Sequence, residues 1–343
     1  MSPRSRRRFD ESDVRVRPNP KGSRPRTKDR PAHEDAVPAR VLTVDRGRYT
    51  TLVGEGGPEE RVVTAMKARE LGRTGIVVGD RVDLVGDVSG AEDSLARVVR
   101  RPERATVLRR TADDTDPIER VVVANADQLV VVTAVADPEP RHRMVDRCLV
   151  AAYDAGITPL LCLTKADLTD PAEFLHAYAE LDLPVLVTHR APDGTIVGLD
   201  QVREALHGHD SVLVGHSGVG KSTLVNALVP DALRATGIVN AVTGRGRHTS
   251  SSAVALRLPD GAGWVTDTPG VRSFGLAHVN PQHLLRAFSD LQPGAEQCPR
   301  GCGHDEPECG LDDWVASGQA GPHGTARLES LRRLLRARAG EQD

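Results

Sequence analysis

Lysine is nearly missing from this chain of 343 residues. Only Lys21, Lys28, Lys67, Lys165 and Lys221 are present, and arginine supplies the remaining basic side chains. Two of the five stand in the stretches "CLTKADL" (162–168) and "VGHSGVGKST" (214–223), where a compact ammonium on a flexible stem is not replaceable by a planar guanidinium. Long apolar runs are lacking too. None approaches the roughly 18 residues of a membrane span, and the charged N-terminus does not lead into the hydrophobic region of a signal peptide. The expectation is a cytoplasmic protein with no membrane partner. Cysteine is scarce, yet three of the five, Cys298, Cys302 and Cys309, crowd into one short window. In a reducing compartment that crowding points to a metal rather than to disulfides. Strong net charge is also absent. A net charge of -3 and a pI near 6.5 argue against a uniformly basic nucleic-acid binder. The average hides a local excess: residues 1–30 carry eleven Lys/Arg against four Asp/Glu and almost no apolar side chains. Residues 1–35 are therefore expected to form a disordered basic arm, either a solvated tail or an electrostatic contact to RNA.

The length allows two or three domains. From about Ala39 come short β-rich runs, "ARVLTVD", "RYTTLVG", "ERVVTAMK", "DRVDLVGD" and "SLARVVRR", separated by turn signals. Five short strands over residues 36–104 suit a small closed β-barrel, an OB-fold or an SH3-like barrel, acting as a structural domain or as an RNA binder. A polar, Arg- and Asp-rich linker is expected over 105–118. From 119 to 280 the pattern becomes α/β. "VVVANADQLVVVTAV" is apolar enough for a strand buried on both faces. "RHRMVDRCLVAAYDAG" places Met144, Cys148, Leu149 and Ala152 on one helical face and ends at Gly156. "TPLLCLTKADL", "PVLVTH", "SVLVGHSG", "AVALRLP" and "GWVTDTPG" complete a set of six strands, several closed by a polar motif. Open α/β sheets gather ligands at such carboxyl ends.

Gly215, His216, Ser217, Gly218, Val219, Gly220, Lys221 and Ser222 match G-x-x-x-x-G-K-[ST] between a strand and the helical run that continues through Thr223. The glycines let backbone N–H groups turn around phosphate oxygens, Lys221 is expected on the β- and γ-phosphates, and the Ser222 hydroxyl on Mg²⁺. "DTPG" closes the last strand. Asp267 can hold the Mg²⁺ shell and the Gly270 N–H can meet a γ-phosphate. Between them "TGRGRHTSSS" (243–252) reads as a loop that orders on γ-phosphate and Mg²⁺, with Thr249 or Ser250 as a second metal-ligating hydroxyl. In Thr164, Lys165, Ala166 and Asp167, the carboxylate can accept from the N1–H and N2–H₂ edge of guanine, which adenine does not offer. The stem of Lys165 can cover the base. The pattern more often begins with Asn, for which Thr164 keeps a hydroxyl. The loop ending the next strand, at Thr188 and His189, falls where a base contact is expected.

The motif order is base motif, base loop, phosphate loop, switch loop, DxxG. Joining the ends of a common GTPase domain and cutting it between DxxG and the base motif produces this order. The chain reads as a circular permutation. Further on, Cys298, Cys302, His304 and Cys309 offer three thiolates and an imidazole, a closed tetrahedral set for one structural Zn²⁺. Cys148 and Cys162 lie on apolar faces and read as core. The tail "TARLESLRRLLRARAG" repeats Leu at helical spacing with a basic opposite face, so 281–343 is expected as a helical zinc-binding module.

With "GHSGVGKSTLVNAL", "GRGRHTSSS" and "DTPGVRSFGL" in that order, the chain resembles the small ribosomal subunit-dependent GTPases of the RsgA (YjeQ) family over roughly 36–335. The family carries a similar Cys-Cys-His-Cys knuckle, although its loops before Cys302 and after His304 are one residue longer. The resemblance implies a GTP hydrolase that acts in late maturation of the small subunit, binds 16S rRNA, takes GTP or GDP with Mg²⁺, and helps to release other assembly factors. A monomer is expected. Val271, after DxxG, neither accepts nor donates a hydrogen bond, so unassisted hydrolysis should be slow. His248 in the switch loop is the candidate to orient the attacking water, and the resemblance points to the same residue. Two other readings stay open: a non-catalytic RNA-binding scaffold that uses GTP as a structural ligand, and a P-loop ATPase or kinase, which leaves "TKAD" without a task.

Overall fold

The computed structural model describes residues 33–110, 120–230, 253–268, 274, 276 and 279–339. The basic arm up to residue 32, the expected switch loop with His248, Thr249 and Ser250, and Gly270 and Val271 lie outside the described residues.

The first five strands are β1 (Val37–Asp45), β2 (Arg48–Val53), β3 (Arg61–Lys67), β4 (Arg81–Gly86) and β5 (Ala96–Arg100). β1 pairs with β2 and with β4, β2 with β3, β4 with β5, and β3 with β5 in parallel, which closes a ring in the order 1-2-3-5-4. That ring is an OB-fold and decides against the SH3-like alternative. Strand alternation fills it: Val41, Val63, Ala65, Leu84, Ala96 and Val98 are completely buried. The β1–β2 turn needs two left-handed residues, and Arg46 (φ 45°) and Gly47 (φ 83°) supply them.

A hairpin of β6 (Val107–Arg110) and β7 (Arg120–Ala124) follows, so part of the stretch read as a linker is a strand. The apolar run "VVVANADQLVVVTAV", expected as one strand, is two. The chain turns at Asn125 (φ 58°), and β8 (Gln128–Ala134) starts beyond it. Asn125 Nδ2 donates to the Gly79 carbonyl at 2.9 Å, anchoring this turn to the barrel.

The α/β part continues with α1 (His142–Ala155), β9 (Thr158–Thr164), α2 (Ala172–His176), β10 (Val185–Val187), β11 (His189–Arg190), β12 (Ile196–Val197), α3 (Leu199–Leu206), β13 (His209–Val214), α4 (Lys221–Leu228), β14 (Val254–Arg257) and β15 (Gly263–Asp267). The sheet runs β10-β9-β8-β13-β15-β14, parallel as far as β15, with β14 antiparallel to β15. At its edge β14 pairs with β1 of the barrel, Val254 opposite Thr43, so barrel and sheet form one array of eleven strands. Every residue of β8 is buried, as a central parallel strand requires. Gly156 ends α1 in the left-handed conformation (φ 68°), and the expected face of Met144, Cys148, Leu149 and Ala152 is buried.

Three helices follow: α5 (Pro281–Leu285), α6 (Gly310–Ala316) and α7 (Gly324–Ala339). Leu284, Leu328, Leu331 and Leu334 pack with Val145, Leu149 and Leu161 on the α1 face of the sheet. The opposite face is filled from α3 and α4 by Val202, Leu206, Leu224 and Leu228. The basic side of α7 is turned to protein acceptors. Arg327 donates to Asp290 at 2.7 Å, Arg332 to both oxygens of Asp312, and Arg338 to the Val279 carbonyl at 2.6 Å. No helix among the described residues is long and apolar enough to cross a membrane.

Candidate nucleotide and zinc sites

β13 sits between β8 and β15, where the strand sequence departs in two directions, and its carboxyl end opens into the 215–220 loop. Gly218 (φ 85°) and Gly220 (φ 91°) take conformations that side chains resist. At Gly215 an added Cβ would lie 2.4 Å from the Val132 carbonyl oxygen, so only glycine lets the loop pass this close to β8. Ser217, Gly218, Ser222 and Thr223 are exposed, and His216 Nδ1 lies 3.1 Å from the Ser217 carbonyl. Val219 turns inward and is buried.

The separated motifs meet here. Lys221 Nζ is paired with the Asp267 carboxylate across the β13–β15 boundary. Thr268 Oγ1, next in the chain, donates to the Leu213 carbonyl at 2.8 Å and ties the end of β15 to β13. Buried Thr164 donates from Oγ1 to the Val219 carbonyl at 2.5 Å, joining the base motif to the phosphate loop across 55 positions of sequence. The Ala166 N–H donates to the Thr188 carbonyl at 3.2 Å, and Thr188 Oγ1 donates to the Leu163 carbonyl at 3.0 Å, so the two base loops are bonded to each other. Lys165 is left-handed (φ 57°), with its ammonium on the Asp137 carbonyl. Asp167 projects from the same loop with an exposed carboxylate.

Beside these loops lies a cavity of about 220 Å³, lined by Thr164, Lys165, Thr188, His189, Gly220 and Thr223 together with Arg190, Ile196 and Leu224. The last three are not evident from the motifs. Arg190 and Ile196 arrive on the hairpin β11–β12, whose only sequence signal is the turn "PDG" at 192–194. Asp193 braces that turn by accepting from the Thr195 N–H at 2.9 Å.

At the C-terminal end, one ligand atom from each of Cys298, Cys302, His304 and Cys309 falls within 4.8 Å of the others. The Cys298 and Cys309 sulfurs are 3.8 Å apart, the edge of a tetrahedron built on zinc–sulfur bonds of about 2.3 Å. His304 is buried, and its Nδ1 lies 3.5 Å from the Cys298 sulfur. The Glu306 carboxylate caps the turn by accepting from the Gly303 N–H at 2.9 Å. Three thiols and an imidazole in this arrangement fit Zn²⁺ as a closed structural site. Burial pushes the Cys302 and Cys309 thiols above their ordinary value, so metal loading releases protons.

A family model described as RsgA GTPase matches residues 101–277, more than half of the chain. The chain belongs to the RsgA GTPase family. Among RsgA relatives, the small ribosomal subunit biogenesis GTPase RsgA of Pseudomonas aeruginosa strain LESB58 is 38% identical over 268 residues, covering 76% of this chain and 75% of that protein. The protein of the same name from Chlorobaculum parvum is 34% identical over 305 residues, covering 86% of this chain and 96% of its own. The crystal structure of YjeQ from Thermotoga maritima matches 90% of this chain and 100% of its own, with a TM-score of 0.61 at 26% identity. YloQ, described as a circularly permuted GTPase, matches 92% of this chain and 99% of its own with a TM-score of 0.60; at 20% identity it speaks for the fold alone. As an RsgA GTPase the chain hydrolyses GTP on a circularly permuted fold, and family membership implies GTP or GDP with Mg²⁺ as ligands.

Proposed function

We propose that this GTPase works in the cytoplasm as a monomer on the small ribosomal subunit late in its assembly, binds 16S rRNA, is stimulated by the particle, and leaves it after hydrolysis. The names of the relatives support the subunit as partner. The observation that carries the nucleotide site is the Thr164–Val219 bond, which unites base motif and phosphate loop although their order is reversed.

In this reading Asp167 recognises the guanine edge, the Lys165 stem covers the base, and Ala166, Thr188 and His189 shape its surroundings. The loop from Gly215 to Gly220, with Lys221, Ser222 and Thr223, surrounds the phosphates. Ser222, Asp267 and Thr249 would hold Mg²⁺, which would supply positive charge against the developing charge on the phosphate oxygens. Nucleotide loading separates Lys221 from Asp267, freeing the ammonium for phosphate oxygens and the carboxylate for the metal's shell. Gly270 offers its N–H to the γ-phosphate. Val271 leaves the attacking water without a polar neighbour at that position, so the free protein turns over slowly. On the particle, His248 supplies the missing group. Release of other assembly factors follows from the departure of the GDP form.

The test is GTP turnover by the purified protein alone, with small subunits and with large subunits, using Lys221→Ala as the blank. Strong stimulation by small subunits only is the expected result. Equal turnover under all three conditions would remove the trigger from the reading. His248→Ala is expected to keep nucleotide affinity and lose the stimulated rate.

A further inference from the structure

We propose that Gln282 is the positioning residue of the zinc site, holding the His304 ring so that Nδ1 points at the metal. This rests on the reading of Cys298, Cys302, His304 and Cys309 as zinc ligands.

His304 is 1% exposed and held at a left-handed φ of 70°. Its Nδ1 faces the sulfurs of Cys298 and Cys309, at 3.5 and 3.9 Å. Its Nε2 points the other way, and the amide nitrogen Nε2 of Gln282 lies 3.0 Å from it. A neutral imidazole that binds metal through Nδ1 carries its proton on Nε2. That buried N–H requires an acceptor, and the Gln282 amide is within reach to be one. The amide nitrogen and oxygen exchange places by a half-turn about the last side-chain bond. With Oε1 toward the ring, Gln282 accepts the proton, fixes the tautomer and raises the basicity of Nδ1, as outer-shell partners of zinc-bound histidines do.

Among the described residues, Gln282 is the side chain placed on His304 Nε2. Arg332 holds the His304 main chain, donating from Nε to its carbonyl at 3.1 Å, while the two terminal nitrogens of Arg332 grip Asp312 at 2.9 and 2.8 Å. The ring's rotation is not fixed by that contact. Gln282 is itself held at the start of α5, where Asn280 Oδ1 accepts from the Gln282 N–H at 3.0 Å. The spacing of the four ligands gives no hint of it.

The experiment measures zinc affinity of the full chain by competition with a chromophoric chelator, in the wild type, Gln282→Ala and Gln282→Glu. Circular dichroism and GTP binding verify that each variant is folded. The expected result is about a 10–100-fold loss of affinity in Gln282→Ala. Gln282→Glu, which still accepts the ring proton, should return to wild-type affinity or above it. Cobalt substitution should give an altered ligand-field spectrum in the alanine variant alone. Affinity within about twofold of wild type in Gln282→Ala would overturn the proposal. So would a glutamate variant as weak as the alanine one, since that marks simple packing. A wild-type chain that takes up no zinc would sink the ligand reading and this proposal with it.

Discussion

The barrel and the C-terminal helices flank the same α/β sheet, yet they are joined to it by opposite means. The barrel keeps a core of its own, and meets the α/β part through the pairing of Thr43 with Val254, a short bridge between Val78 and Val123 continued by the Asn125–Gly79 bond, and a small apolar patch that includes Leu42, Leu52 and Trp264. Around that patch runs a polar belt. Buried Arg40 lies 2.8 Å from Asp210 and 4.5 Å above the Trp264 ring, and Glu55 accepts from Trp264 Nε1 at 2.6 Å. Among the described residues, the C-terminal helices have no such separate core. Their leucines share one cluster with α1 and β9, and buried Arg147 on α1 donates to the Phe274 carbonyl at 2.7 Å and the Ala337 carbonyl at 3.4 Å. The barrel leans on β14 and β15 through directional bonds that can be exchanged. The C-terminal helices belong to the packing of the nucleotide domain, where interiors resist gradual deformation.

The strongest way to break this comparison is Leu331→Ala, in the shared core. It should cost about 2–5 kcal/mol and lower the unfolding midpoint of GTP binding together with that of the C-terminal helices. Two separate denaturant transitions, with nucleotide binding surviving the first, would show that the helices are an independent unit after all. Trp264→Phe keeps an aromatic face but removes the donor to Glu55 and part of the buried indole, so a loss of at least about 1.5 kcal/mol is expected, centred on the barrel contact. Hydrogen exchange should then rise along β1 and β14 and stay unchanged in α7. Arg257→Ala removes a half-exposed partner 2.5 Å from Glu60 and should cost about 0–1 kcal/mol, less in high salt.

The belt also carries a pH signature. Burial alone would raise the Glu55 carboxyl, but hydrogen bonding and charge from Arg81 and Arg40, with the Trp264 donor, hold it below its ordinary 4.5. A depressed carboxyl contributes stability that is complete above its unfolded value and is lost as pH falls through the folded one. The barrel contact should therefore loosen in acid before the shared core does, and Glu55→Gln should flatten that dependence in a pH series of hydrogen exchange.

The sequence made the chemistry more legible than the boundaries. The phosphate loop is readable because its glycines answer a local demand, as Gly215 against Val132 illustrates. The cysteines and His304 are readable because few residue types bind zinc. "VVVANADQLVVVTAV" misleads because a fully apolar run has no period, and the turn at Asn125 is fixed by Gly79 and Ala105, which are distant in sequence. The barrel type hangs on the parallel β3–β5 pairing, a long-range choice. Thr164 reads as a mere substitute for Asn, while its bond to Val219 exists only once two loops meet. Arg190 and Ile196 carry no motif at all.

The rearranged order of the chain also dictates when its parts become available during synthesis. Gln128 and Ser211 are hydrogen-bonded neighbours on β8 and β13, but 83 positions separate them. A growing chain thus exposes β8 and β9 well before the central strand that covers their open edge. A chain halted after α4 already holds the base motif and the phosphate loop. It still lacks β15, and with it the carboxylate that meets Lys221 and the strand that supports one side of the loop. The leucines that close the α1 face come last of all. The order of synthesis thus leaves the 215–220 loop without its β15 neighbour, and Lys221 without Asp267, until the chain is nearly complete.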